Sequence, residues 1–303
     1  MNLLQLPSPI EELKNPTFQQ KGVRVFMKRD DLVHPEISGN KWRKLKFNIL
    51  AAKAEGKTSI LTFGGAFSNH IAATAVACRL AGMESIGVIR GDEFKSLNPT
   101  LKLAKEAGMH LHFVPRNEYK RRNELAYRNR LLDQYPNAYL VPEGGANQNG
   151  VRGCEEIMSE TDHSFDYLLT AAGTGTTAAG LLKSMQKGRL VVFSALKGAA
   201  SLEEDIVEMA GYSYSGALTM QNDFHFGGYA KLKPGLVNFV NQFYLDFKIP
   251  LDLVYTGKMV YGFWQLLEAD FFPLGSQVLL LHTGGLQGNK GMQERYGVQL
   301  SFG

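Results

Sequence analysis

Ile37-Ser38-Gly39-Asn40-Lys41-Trp42-Arg43-Lys44-Leu45 marks the point where an irregular segment turns into a helix. Downstream, Trp42, Leu45, Ile49 and Ala52 recur at helical spacing, and Gly56 supplies the stop. The pattern predicts Lys41 in the first turn of an amphipathic helix. A helix N-terminus carries partial positive charge, so it disfavours an ammonium and suits an amine that must give up its proton. Two readings fit the residue taken alone. Lys41 is one of several basic residues on a solvated face, with Arg43, Lys44 and Lys46, or it is a neutral nucleophile able to form a Schiff base with a carbonyl compound.

Outward from this stretch, short apolar runs alternate with helical patterns. Upstream, Val23 to Lys28 reads as a strand and Arg29 to Leu32 as a turn. Downstream, strands are expected over Thr58 to Phe63, Ser85 to Ile89, His110 to Val114 and Ala138 to Val141. Helices are expected over Ile71 to Leu80, from Pro99 to Gly108, and over a long charged stretch from Glu118 to Gln134. A Gly/Asn-rich segment, Glu143 to Gly153, is the best boundary candidate. Beyond it a helix is expected over Cys154 to Ser159, and strands over Phe165 to Ala171, Leu190 to Ala195 and Gln277 to His282. Further helices are expected over Leu202 to Ala210, Pro234 to Phe247 and Gly257 to Glu268. This alternation predicts an α/β fold with parallel sheets flanked by helices.

The 303 residues suffice for one large domain or two ordinary ones. A composition 44% hydrophobic and 20% charged argues against disorder. Net charge is +4 and the basic residues are scattered apart from Lys41 to Lys46 and Lys120 to Arg122, which argues against a nucleic acid partner. No apolar run approaches the roughly 20 residues that cross a bilayer. Met1 to Pro7 is too short and too soon broken for a signal peptide. Cys78 and Cys154 lack metal-ligand spacing and read as reduced thiols of a cytoplasmic protein.

Further motifs bear on chemistry. Gly173-Thr174-Gly175-Thr176-Thr177 follows a strand and opens a helix, so its backbone N–H groups converge where the helix dipole favours an anion. It lacks the lysine of a triphosphate loop and the third glycine of a dinucleotide fingerprint, so it suits a single phosphate monoester. A tight strand-to-helix turn without ligand is the alternative. Ser68-Asn69-His70 occupies a second such turn. There Ser68 is either a helix cap or a holder of a substrate carboxylate, and Asn69 could donate to an oxyanion such as a cofactor phenolate. His70 is either a packed histidine or a catalyst. Finally, Tyr255-Thr256-Gly257-Lys258 and His282-Thr283-Gly284-Gly285 lie at the carboxyl ends of apparent strands, where open α/β sheets bind ligands. Tyr255, and Tyr229 in Phe226-Gly227-Gly228-Tyr229-Ala230-Lys231, read equally well as core or rim aromatics. A Schiff-base lysine together with a phosphate cradle points to pyridoxal phosphate.

In order, Ser-Gly-Asn-Lys-Trp-Arg-Lys-Leu, Gly-Gly-x-x-Ser-Asn-His, Gly-Thr-Gly-Thr-Thr-Ala-Ala-Gly, Tyr-Thr-Gly-Lys and His-Thr-Gly-Gly span most of the chain. This series resembles the pyridoxal-phosphate enzymes of the 1-aminocyclopropane-1-carboxylate deaminase and D-cysteine desulfhydrase family, which have the tryptophan synthase β-like fold. The resemblance implies a large cofactor-binding domain, residues 1–43 and 152–303, with a small domain, 44–151, inserted into it. It implies a homodimer with the cofactor in the interdomain cleft and a small amino acid as substrate. Lys41 would form the Schiff base with pyridoxal phosphate, and Asn69 would contact its ring oxygen. Ser68 would bind the substrate carboxylate, with Asn69 and His70 beside it. Gly173, Thr174, Gly175, Thr176 and Thr177 would hold the phosphate, and Thr283 the pyridine nitrogen. Tyr229 and Tyr255 would flank substrate and cofactor and, with Lys41 and Ser68, act as the catalytic residues.

One departure matters. The deaminase branch resembled here typically has Tyr-Glu-Gly-Lys where this chain has Thr256 after Tyr255. A carboxylate there would keep the ring nitrogen protonated and strengthen the electron sink, which cyclopropane opening needs more than β-elimination does. Thr256 therefore favours D-cysteine desulfhydrase-like elimination to pyruvate, ammonia and sulfide. 1-Aminocyclopropane-1-carboxylate deamination, D-serine dehydration, racemisation and non-catalytic phosphate-ligand binding are the alternatives.

Overall fold

The computed structural model describes residues 4–37, 39–92, 96–211 and 217–302; Ser38 of the opening stretch lies outside them. In chain order the elements are β1 (Ile10–Leu13), α1 (Pro16–Gln20), β2 (Arg24–Lys28), α2 (Asn40–Ala54), β3 (Ser59–Gly65), α3 (Asn69–Ala81), β4 (Glu84–Arg90), α4 (Pro99–Glu106), β5 (Met109–Val114), α5 (Arg116–Tyr119), α6 (Leu125–Gln134) and β6 (Ala138–Val141). They continue with α7 (Gln148–Ser159), β7 (Tyr167–Ala172), α8 (Thr176–Ser184), β8 (Arg189–Ser194), α9 (Leu202–Ala210), β9 (Leu218–Gln221), α10 (Pro234–Phe247), α11 (Thr256–Glu268), β10 (Gln277–Leu281) and α12 (Gly288–Tyr296).

Among the described residues the strands form two sheets, one in the order β1-β2-β10-β7-β8-β9 and one in the order β5-β4-β3-β6. Every pairing is parallel except the edge pair of β1 with β2. Parallel strands are covered by helices on both faces, which is why Ile60, Leu61 and Phe63 of β3 and Val278, Leu279, Leu280 and Leu281 of β10 are all buried. The α/β architecture with helix-flanked parallel sheets is therefore the one the alternating pattern implies.

Two stretches depart from expectation. The charged stretch from Glu118 to Gln134 is broken: a 3-10 turn follows α5, and Glu124 is extended at φ −73°, ψ 130°. Only Tyr119, Tyr127 and Leu131 are buried there, so no continuous apolar stripe holds one straight helix. The Gly/Asn-rich segment is half helical. Asn147 caps α7 by accepting from the Gly150 N–H at 2.9 Å, so the helix starts at Gln148 rather than Cys154. Gly153 of α7 then lies directly on α2, since a Cβ there would collide with the Arg43 carbonyl. Both domain boundaries expected from the resemblance thus fall inside packed helices, α2 and α7.

Arg43 follows Lys41 by two residues and so projects from the opposite side of α2. It is buried, donates to Asp30 Oδ1 at 2.9 Å and pairs with Glu160, which also accepts from Lys28 at 2.8 Å. This ion cluster ties α2 to β2 and to the end of α7. Cys78 and Cys154 are buried and free. No helix among the described residues is long and apolar enough to cross a membrane.

Candidate active site

A parallel strand delivers its chain to the same edge of the sheet each time, and ligands collect there. Residues at or just past the carboxyl ends of β3, β4 and β6 in one sheet, and of β7, β8 and β10 in the other, meet the first turn of α2 around a cavity of about 620 Å³. Its walls include Lys41, Ser68, Asn69, His70, Gly173, Thr174, Gly175, Thr177, Tyr229, Tyr255 and Thr283. Residues far apart in sequence are thus brought together. Thr176 is the exception: it is fully buried off the wall, with its hydroxyl 3.1 Å from that of Thr174.

Lys41 stands on the cavity wall because of Gly39. That glycine has φ +66°, and a Cβ there would collide with the backbone carbonyl of Thr283, so only glycine lets α2 begin against the loop after β10. Lys41 Nζ donates to Asn40 Oδ1 at 2.6 Å. Its pKa falls to about 7, chiefly through loss of solvent and next through the charge of Lys44. Burial, more than the helix dipole invoked from sequence, disarms the proton.

Lys44 is a residue that the sequence reading left on a wet face. It is buried, lines the same cavity, and has no hydrogen-bond or ion-pair partner among the described residues. Burial holds its pKa below the ordinary lysine value. Its spacing of three from Lys41 puts both on one side of α2, and that was the signal available. Across from it, the 173–177 turn leads into α8, with Gly175 at φ +76° and Asn40 Nδ2 donating to Thr177 Oγ1 at 2.8 Å. Open N–H groups at the start of α8, with an unpaired buried amine on the same cavity, suit a phosphate.

Ser68 caps α3 by accepting from the Ile71 N–H at 3.4 Å, while still lining the cavity. Asn69 is buried and its Oδ1 has no partner. Thr62 donates its hydroxyl proton to the Val141 carbonyl at 2.8 Å, so the contact with His70 Nε2 at 2.9 Å must use the histidine's proton. His70 Nδ1 is then an unpartnered acceptor. Burial, and then the charges of Lys41 and Lys44, lower its pKa to about 3, so the ring stays neutral. A neutral acceptor suits an amine or hydroxyl, not the carboxylate that the resemblance set beside it.

Tyr229 and Tyr255 pack edge to face with centroids 6.1 Å apart. Burial raises both phenols' pKa; Tyr255 lies further up because Tyr229 and Asp252 also oppose its ionisation. Tyr229 is carried on a strained loop with Phe226 at φ +53° and Ala230 at φ +50°. Lys258 spans that loop, donating to the carbonyls of His225 and Gly228, each at 2.9 Å. The Thr256 and Thr283 hydroxyls lie 3.4 Å apart. Beneath them Asp252, unforeseen from sequence, accepts from the N–H groups of Val254, Tyr255 and Thr256 and so starts α11. Arg90, Arg122 and Glu143 also line the wall and were also missed; Arg90 ends β4 and Glu143 follows β6, which was the available clue, whereas Arg122 sits on the 3-10 turn before α6 and carried none.

Residues 1–284 match the family model for pyridoxal-phosphate dependent enzymes. A Pyrococcus horikoshii protein, provisionally named a 1-aminocyclopropane-1-carboxylate deaminase, is 30% identical over 95% of this chain and 92% of its own. An Arabidopsis thaliana mitochondrial protein, named a bifunctional D-cysteine desulfhydrase/1-aminocyclopropane-1-carboxylate deaminase, is 29% identical over 95% of this chain and 78% of its own. A crystal structure of an ACC deaminase homologue superposes with a TM-score of 0.82 at 27% identity, covering 97% of this chain and 94% of that one.

Proposed function

The chain belongs to the family of pyridoxal-phosphate dependent enzymes, and on that premise we propose that it eliminates sulfide from D-cysteine. With one water, D-cysteine then gives pyruvate, ammonia and sulfide. The observation that carries the choice is the Thr256–Thr283 hydroxyl pair. Both groups are neutral, and neither would hold a proton on a pyridine nitrogen as a glutamate would. A sulfur leaving group departs without that help, whereas a strained carbon ring needs it more.

When bound, pyridoxal phosphate supplies an aldehyde for amine capture and a sink for the electrons released at the α-carbon. The residues present fit it. The N–H groups of the 173–177 turn and the unpaired amine of Lys44 would hold the phosphate, Asn69 the ring oxygen, and Thr283 the ring nitrogen. Ser68 and the first N–H groups of α3 would take the substrate carboxylate. Lys41 Nζ, poised near neutrality, accepts the α-proton and can return it. The phenols of Tyr229 and Tyr255 keep their protons and can donate one to departing sulfur.

The names of the relatives make 1-aminocyclopropane-1-carboxylate deamination the second reading. Assay of the purified protein with D-cysteine, 1-aminocyclopropane-1-carboxylate and D-serine separates them. Sulfide with pyruvate from D-cysteine is expected; keto acid from the cyclopropane substrate with no sulfide from D-cysteine would overturn the choice.

The division into residues 1–43 with 152–303 and an inserted 44–151 is also our inference. It is supported by the second sheet being drawn wholly from residues 59–141. Movement of that unit on the α2–α7 pair would close the cleft over substrate. Two free buried thiols fit a reducing cytoplasm. The homodimer implied by the resemblance is tested by mass in solution.

A further inference from the structure

Four basic side chains, Lys41, Lys44, Arg90 and Arg122, line the cavity against one carboxylate, Glu143. Both Glu143 oxygens are engaged: Arg122 Nε donates to one at 2.6 Å and the Tyr119 hydroxyl to the other at 2.8 Å. Lys41 and Lys44 face the cofactor assigned above. Arg90 remains, with no carboxylate partner among the described residues.

Arg90 is nevertheless held in place. It ends β4 directly opposite Gly65, the last residue of β3. A Cβ at Gly65 would lie 3.3 Å from an Arg90 guanidinium nitrogen, so the guanidinium lies along bare backbone at that edge. It also stands over the Tyr119 ring, with Cζ 5.8 Å from the centroid. Its charge reaches Tyr229 on the cavity wall, where it favours the phenolate. Just beyond Gly65 the chain turns into Ser68 and the start of α3, the place assigned to the substrate's own carboxylate. A second cation beside an anion site that is already supplied has room for a second anion.

We propose that the substrate carries a second acidic group, read by Arg90. It is a β-substituted amino acid whose sulfur substituent ends in a carboxylate. The inference rests on the elimination reading and extends its leaving group. Lys41 Nζ takes the α-proton, the electron pair from the Cα–H bond forms the Cα–Cβ double bond, and the Cβ–S bond breaks with its pair leaving on sulfur. The product thiol carries the carboxylate, and water then releases ammonia and pyruvate.

S-carboxymethyl-D-cysteine and its amide, S-(carbamoylmethyl)-D-cysteine, match in size and differ by one charge. For the holoenzyme, kcat/KM is expected to favour the acid by about tenfold or more, the worth of a charged hydrogen bond. Calorimetric binding of D-aspartate over D-asparagine should show the same preference without turnover. Arg90→Gln should bring both ratios to about one, and Arg90→Lys should keep part of each. Arg90 is exposed, so these substitutions leave the core intact. Ratios near one in the unaltered protein, or a preference that survives Arg90→Gln, overturn the proposal. A parallel loss of acid and amide in Arg90→Gln, ratio unchanged, would assign Arg90 to the α-carboxylate and overturn it too. Borohydride reduction followed by mass spectrometry reports on Lys41 separately. Failure of the cofactor assignment shows as a missing adduct, whereas failure of the Arg90 assignment leaves the adduct in place.

Discussion

Lys41 is reactive because it is short of water, with a second amine, Lys44, beside it. Its pKa of about 7 is below the ordinary value, so the amine is charged below pH 7 and neutral above. The rate of capture of an added aldehyde by the cofactor-free chain should therefore rise as pH passes through about 7, and stopped-flow absorbance would follow it. The same shift has a stability sign. From about 7 to the ordinary value of 10.5 the unfolded chain holds a proton that the folded one lacks, so this residue's contribution to stability grows with pH across that window. Lys41→Ala should reduce turnover by about a thousandfold or more, measured as keto acid release; activity near that of the parent would refute the assignment. Lys41 was legible in the sequence because a helix start, a cap region and periodic apolar residues are local. Lys44 was not, because whether a lysine faces water or a cavity depends on α7 and α8 arriving from more than 100 residues away.

Helix α2 is positioned from behind. Removing Arg43 as Arg43→Met would leave Asp30, which is 0% exposed, without its counter-charge. A loss of about 3–5 kcal/mol is expected, read from the denaturant midpoint. Glu160 in the same cluster resists ionisation through burial, but the hydrogen bonds from Arg43 and Lys28 outweigh that and hold its pKa below the ordinary value of 4.5. Its share of stability is thus present above pH 4.5 and is lost as the pH falls through its folded value. The Tyr229 loop is the second element under constraint. Lys258→Met frees the His225 and Gly228 carbonyls and relaxes a backbone with two non-glycine residues at positive φ. A drop of roughly tenfold in kcat, with cofactor affinity little changed by absorbance titration, is expected if the loop serves the tyrosine alone. At this scale most longer helices and the buried strands were readable, whereas β1, the five-residue α1, β9 and α12 were not. β1 (IEEL) and β9 (LTMQ) are edge strands mixed with polar residues, whereas the equally short β6 (AYLV) is an apolar run, and α12 is a polar helix held by its glycine contacts.

The cavity belongs to the whole molecule: two sheets each contribute the carboxyl ends of three strands, and α2 contributes its first turn. A ligand that touches all of these should stabilise the chain as one unit. Stripping the cofactor and restoring pyridoxal phosphate at a hundredfold excess over its Kd should return about 2.7 kcal/mol, seen as a raised Tm. An unmoved Tm would argue against phosphate and aldehyde being bound together in this cleft. The alternation of apolar runs, Gly-rich turns and capped helices determined, without any structure, that the chain is α/β, and the order of its motifs determined which lysine, turn and tyrosines to watch. Those are properties of neighbours along the chain. The tertiary structure alone decided that Lys44 and Arg90 enter the site, that Arg43 sits in a buried ion cluster rather than on a solvated face, and that His70 is a neutral acceptor. Charge, protonation and exposure are set by what packs across space, and a linear pattern carries no distance between residues 44, 90 and 143.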